Sequence, residues 1–146
     1  MNFAGNPLFR ELDRFNKEAD DIYHDIAFKA GISNSAFMVL YYLWELGDGC
    51  SQKDICDRCF LSKQTTHSAV RKLEQEGLLQ FCAGKGRDLH LVLTEQGNTF
   101  IQEKILPVAE AEQKAFSALT TEEQAELVRL NQKYLNQLRI HTRHLT

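Results

Sequence analysis

Apolar residues recur at intervals of three and four over most of the chain and switch to intervals of two only between residues 78 and 93. That change of period sets out the elements. Leu8, Leu12, Phe15, Ala19, Ile22, Tyr23, Ile26 and Ala27 fall on one stripe and predict a helix from about Pro7 to Lys29. Pro7 suits its first turn and Gly31 its end. Ser33 is placed to cap a second helix, in which Phe37, Leu40, Tyr41, Leu43 and Trp44 leave little polar face, as expected of a helix central to a core. Gly47 and Asp48-Gly49 break it.

The stretch from Ser51 to Thr94 carries the most information. Ser51, with Asp54 three residues on, caps a short helix whose inner side is Ile55, Cys56 and Cys59. Phe60 and Leu61 are expected to fill the turn, and Ser62 to cap a following helix, KQTTHSAVRKLEQEG. On that helix Thr66, Ala69, Val70 and Leu73 share an inner face, while Lys63, Gln64, His67, Ser68 and Arg71 share the outer one. Gly77 ends it. A strand over residues 78–82, a basic glycine-rich loop over 83–87 and a returning strand over 88–93 follow. Two short helices around a tight turn, then a basic hairpin, predict a winged helix-turn-helix.

Beyond Thr94 the helical period resumes through Phe100, Ile101, Ile105, Val108, Ala109 and Phe116, with a kink expected at Pro107. Thr120-Thr121-Glu122-Glu123 forms a capping box for a last helix whose stripe includes Leu127, Leu130, Tyr134, Leu138 and His141. The terminal helices hold more apolar surface than one small domain uses internally, and dimerisation is the simplest use for it. The expected fold is mainly α with a small β-hairpin (α+β). One domain spans residues 1–146, with helical dimerisation regions at 1–31 and 95–146 around a DNA-binding lobe at 32–94.

Composition narrows the partner. The net charge of −3 excludes a chain that coats nucleic acid indiscriminately. Residues 1–50 carry −4 and residues 91–146 carry −1, whereas residues 51–90 hold seven lysines and arginines against five acids, a local +2. DNA contact is therefore expected from the central stretch alone. The sequence has no apolar run long enough for a membrane span and no secretory pattern at Met1–Phe9, so a cytosolic protein with reduced cysteines is expected.

In a helix-turn-helix the second helix enters the major groove with its N-terminal residues nearest the bases. Lys63 would meet a phosphate, and Gln64 and His67 base edges. Thr65 has a methyl for thymine or a hydroxyl for phosphate, and Ser68 lies on the same face. Arg71, two turns in, reaches the backbone or a base at the edge of the site. Lys85 and Arg87 at the hairpin tip suit a narrow minor groove. Ser51 and Ser62 are candidates for helix capping or phosphate contact. Phe15, Tyr23, Phe37, Tyr41 and Trp44 are candidates to line an effector cavity, with core packing the expected fate of most.

Other chemistries are less well supported. Cys56-x-x-Cys59 is half a zinc site without its second pair, and both sulfurs replace apolar residues, so packing is expected. Cys50 and Cys82 qualify as redox sensors only where solvent and a positive neighbour lower their pKa. His24, His141 and His144 have no assignable carboxylate or cysteine partner for a metal. No cofactor, phosphate-binding glycine loop, serine elbow or carboxylate pair points to an enzyme. The remaining rivals are a winged helix kept for protein interaction without DNA binding, and a metal- or redox-sensing regulator.

The runs ISNSAFMVLYYLWELG, SQKDICDRCFLSKQTTHSAVRKLEQEGLL and GRDLHLVLTEQG resemble the corresponding segments of the MarR (multiple antibiotic resistance regulator) family. The resemblance covers nearly the whole chain and is strongest from Ile32 to Gly97. It implies a homodimer with interlocked terminal helices and two winged lobes on a pseudopalindromic operator. Such proteins are usually repressors, and many respond to small phenolic or lipophilic molecules, oxidants or metals. Family members commonly carry an Asp two residues before the wing arginine; here Lys85 holds that place before Arg87, which the resemblance still implies as the minor-groove contact.

Overall fold

The computed structural model describes residues 5–83 and 89–145. The chain divides into two compact units, Met1–Leu106 and Pro107–Thr146. In the first, α1 (Pro7–Ala30), α2 (Asn34–Leu46), α3 (Gln52–Cys59) and α4 (Lys63–Gln75) lead to strands β1 (Leu79–Ala83) and β2 (Leu89–Leu93). Helix α5 (Glu95–Phe100) and a π-helical turn, Ile101–Ile105, complete it. Helices α6 (Leu106–Ser117) and α7 (Thr121–Thr142) make up the second.

Helix α2 is the hub of the first unit. Its Ala36, Phe37, Val39, Leu40 and Leu43 are buried, and it packs on α1, α3, α4 and the π turn. Ile55 of α3, Val70 and Leu73 of α4, Leu79 and Leu91 of the strands, and Ile101 and Ile105 join it in one dry core. Such side chains each contribute about 1.5–3 kcal/mol through burial. Ser33 caps α2 by accepting from the Ala36 N–H. Helix α1 is attached at its end, where the Ile32 N–H reaches the Ala27 carbonyl, and Ala27 is its sole buried residue.

The strands pair antiparallel, with Leu79 opposite Leu93 and Phe81 opposite Leu91. β1 begins one residue later than its period suggested. A further bridge joins Ser51 to His90, with Leu91 N–H donating to the Cys50 carbonyl and Gly49 N–H to the Leu91 carbonyl. The segment before α3, whose Gly47 and Asp48-Gly49 read as a break between helices, thus lies along β2 as a short third partner. Gly77, at φ 76°, closes α4 in the left-handed conformation that favours glycine. A Cβ on Gly97 would lie 1.8 Å from the Leu78 carbonyl oxygen, so α5 passes the backbone between α4 and β1 at a distance only glycine permits.

At Pro107 the helical ladder is interrupted by the π turn, in which the Leu106 N–H donates to the Ile101 carbonyl. A proline ring in an unbroken α-helix meets the carbonyl four residues back, and one widened turn just before it makes room. In the second unit, Thr120 and Glu123 complete a reciprocal capping box for α7. No single helix among the described residues is long and apolar enough to cross a membrane.

Candidate nucleic-acid interface

Local caps set the geometry of the α3–α4 motif. Ser51 Oγ accepts from the Asp54 N–H at 3.0 Å, and the Asp54 carboxylate accepts from the Ser51 N–H at 2.9 Å. That backbone bond, with the serine hydroxyl, holds the Asp54 carboxyl below the usual carboxylate range. Ser51 is buried, so its role is that of a cap, and it does not face a phosphate. Ser62 caps α4 by accepting from the Thr65 N–H at 3.1 Å, while its hydroxyl donates to Thr65 Oγ1 at 2.8 Å.

Between these caps Phe60 departs from expectation. It does not fill the turn but stands 90% exposed, with a left-handed backbone at φ 53°. Its position at the end of α3 leaves its ring outside the core that Ile55 and Cys59 enter.

Helix α4 divides as its period predicts. Thr66, Ala69, Val70 and Leu73 are buried, and Lys63, Gln64, Thr65, His67, Ser68 and Arg71 are all exposed. The outer face forms two ridges four residues apart. Along Lys63–His67–Arg71, the His67 ring Nδ1 lies 3.3 Å from Gln52 Oε1 of α3, as a donor to that amide oxygen. Arg71 bonds Glu74 at 3.0 Å and lies 4.9 Å over the Phe81 ring of β1. The second ridge, Gln64–Ser68–Lys72, borders the start of α2.

The wing is braced at its base. His90 Nδ1 donates to the Gly49 carbonyl at 2.7 Å, and Leu93 N–H donates to Asp48 Oδ1 at 3.0 Å. Neither residue was singled out from sequence, because the partners lie more than forty positions apart and no local pattern announces them. Lys85 and Arg87, the expected minor-groove contacts, lie outside the described residues.

Two of the thiols, Cys50 and Cys59, sit where thiolates are disfavoured. Cys59 is buried and donates to the Ile55 carbonyl, and burial pushes its pKa up. Cys56 donates to the Leu61 carbonyl at 3.3 Å. Burial, seconded by the charge of Asp54, pushes Cys50 up to about 11, the opposite of what a reactive sensor needs. Cys82 is half-buried on β1. His24 donates to the Asp20 carbonyl one helical turn back, and His141 and His144 are exposed. No three His, Cys, Asp or Glu side chains among the described residues are grouped to hold a metal.

The five aromatic candidates do not share one environment. Phe37 is core, and Tyr41 meets Trp44 edge to face at 5.8 Å. Phe15, with Arg14 over its ring, and Tyr23 stand exposed on α1.

Comparison with known proteins agrees with this geometry. Residues 30–88 match the model of the MarR family. A MarR family regulator from Neisseria meningitidis has the same fold, with a TM-score of 0.79 at 22% identity over 97% of this chain and 99% of that one. The Staphylococcus aureus MepR–DNA complex gives 0.68 at 25% identity, over 90% and 95% of the two chains. BpsR of Bordetella bronchiseptica, a protein whose DNA binding is regulated by 6-hydroxynicotinic acid, gives 0.63 at 20%, over 85% and 98%. No curated protein sequence matches the chain significantly. The family model covers the winged lobe, where the chain is similar to the MarR family, and the solved regulators share its fold over nearly the whole length.

Proposed function

We propose that the protein is a sequence-specific DNA-binding repressor that acts as a homodimer on a pseudopalindromic operator and is released by a small-molecule effector. The observation that carries the reading is the exposed start of α4. Lys63, Gln64, Thr65, His67 and Ser68 project from its first two turns, with no carboxylate among them. An amide or imidazole at a base edge supplies sequence preference, and the ammonium supplies phosphate affinity. Lys85 and Arg87 would add the minor-groove contact. A protein-interaction module would present an acidic or apolar face here instead.

The dimer is supported by apolar side chains left uncovered on helices of both units. Leu8, Leu12 and Phe15 on α1, and Leu127, Leu130, Tyr134 and Leu138 on α7, are exposed at helical spacing. A second copy brings two α4 helices to sites about 34 Å apart, one turn of DNA. An effector bound near Tyr41 and Trp44, beside the lobe, would act by favouring one spacing of those helices over another. MepR bound to DNA and BpsR regulated by 6-hydroxynicotinic acid are the relatives that favour this reading.

A salt titration of binding to the protein's own upstream DNA tests it. Affinity is expected to fall steeply with salt, by about 0.9 log units per log unit for each phosphate neutralised. Absence of salt-sensitive binding would remove the repressor reading.

A further inference from the structure

The two ridges of α4 differ in how they are engaged. On the Lys63–His67–Arg71 side, His67 and Arg71 are tied to Gln52, Glu74 and Phe81. On the other side a polar groove of about 350 Å³ separates α4 from the start of α2, lined by Ser33, Ser35, Gln64, Thr65, Ser68 and Lys72. The lining includes no carboxylate. Ser33 uses its oxygen to cap α2, which leaves its hydroxyl proton available. Among the described residues, the hydroxyls of Ser35 and Ser68, the Gln64 amide and the Lys72 ammonium have no hydrogen-bond or ion-pair partner. One cation, several hydroxyl donors and no acid form a cradle for an anion.

We propose that this groove is a binding site for a backbone phosphate of DNA, with Lys72 as its cation and the hydroxyls of Ser35 and Ser68 as donors. The inference rests on the DNA-binding reading and deepens it. When α4 lies in a major groove, the sugar–phosphate strand walling that groove runs along the flank of the helix. The flank toward α2 is the open one. Backbone contacts of this kind set register and carry no sequence information themselves.

The test compares the full-length protein with Lys72→Gln, Lys72→Arg and Ser35→Ala on operator and random duplexes across a salt series. Lys72→Gln is expected to flatten the log–log salt slope by about 0.9 on both duplexes, leaving their affinity ratio unchanged. Lys72→Arg should restore the slope. Ser35→Ala should weaken both duplexes several-fold at unchanged slope. An unaltered slope for Lys72→Gln in a protein that still binds operator would overturn the phosphate site and leave the regulator reading standing. Failure of the unaltered protein to bind either duplex would overturn both.

Discussion

Gln64 and Lys63 are neighbours at the start of α4, yet an amide and an ammonium have separable consequences there. Gln64→Ala should relax base preference by about 1–3 kcal/mol at one position, read as a narrowed ratio of operator to random affinity. Lys63→Ala should weaken all duplexes alike and lower the salt slope by about 1. Equal losses on both duplexes from Gln64→Ala would remove that side chain from base reading. Cys50 makes a pH prediction. With its pKa raised to about 11, the folded thiol is protonated at neutral pH, so alkylation followed by peptide mass mapping should show it slow at pH 7 and rising toward pH 11. The sign for stability follows. The unfolded thiol ionises near its ordinary value of 9 and the folded one only near 11, so this residue's contribution is full below pH 9 and is lost as pH rises between the two.

At the scale of elements, α4 is held by what it meets at each end. Ser62 satisfies the Thr65 N–H at its start, and Ser62→Ala should cost about 1 kcal/mol in urea unfolding and also loosen the helix proposed to meet DNA. At its far end α5 crosses the Leu78 carbonyl, and Gly97→Ala places a methyl where that backbone oxygen already sits. No side-chain rotation relieves the clash. A loss at or above the upper end of about 1–3 kcal/mol is expected, and an unchanged unfolding midpoint would contradict that close approach. The caps and the inner face of α4 were legible in sequence because both are set by residues within four positions of each other. The exposed, left-handed Phe60 was not. An aromatic between two helical patterns reads as turn filling, and only the path of the backbone shows that its ring is turned outward.

For the molecule as a whole, the prediction is association. The apolar stripes on α1 and α7 are exposed in the single chain, and a second copy that covers them should give twice the 16.8 kDa chain mass in dilute solution. Leu130→Glu together with Leu138→Glu places two carboxylates on the α7 stripe and should shift the protein toward monomer and weaken operator binding, as read by light scattering and by the same titration. A folded wild-type monomer at micromolar concentration that still binds one operator with full affinity would contradict the homodimer.

The sequence by itself determined what depends on short spacing. This includes the order of helices, the capping residues Ser33, Ser51, Ser62 and Thr120, the buried face of α4 and the polar face opposite it. Hydrophobic period and capping chemistry act within a few residues, so the linear chain carries them. Tertiary structure alone decided what depends on distant partners. It laid Asp48–Ser51 along β2 and aimed His90 and Asp48 at the wing base. It also tied His67 and Arg71 to their neighbours while leaving the Lys72 ridge open beside α2. Those contacts join residues that the chain separates by up to forty-five positions, and their strength comes from a core that exists only once the chain has folded.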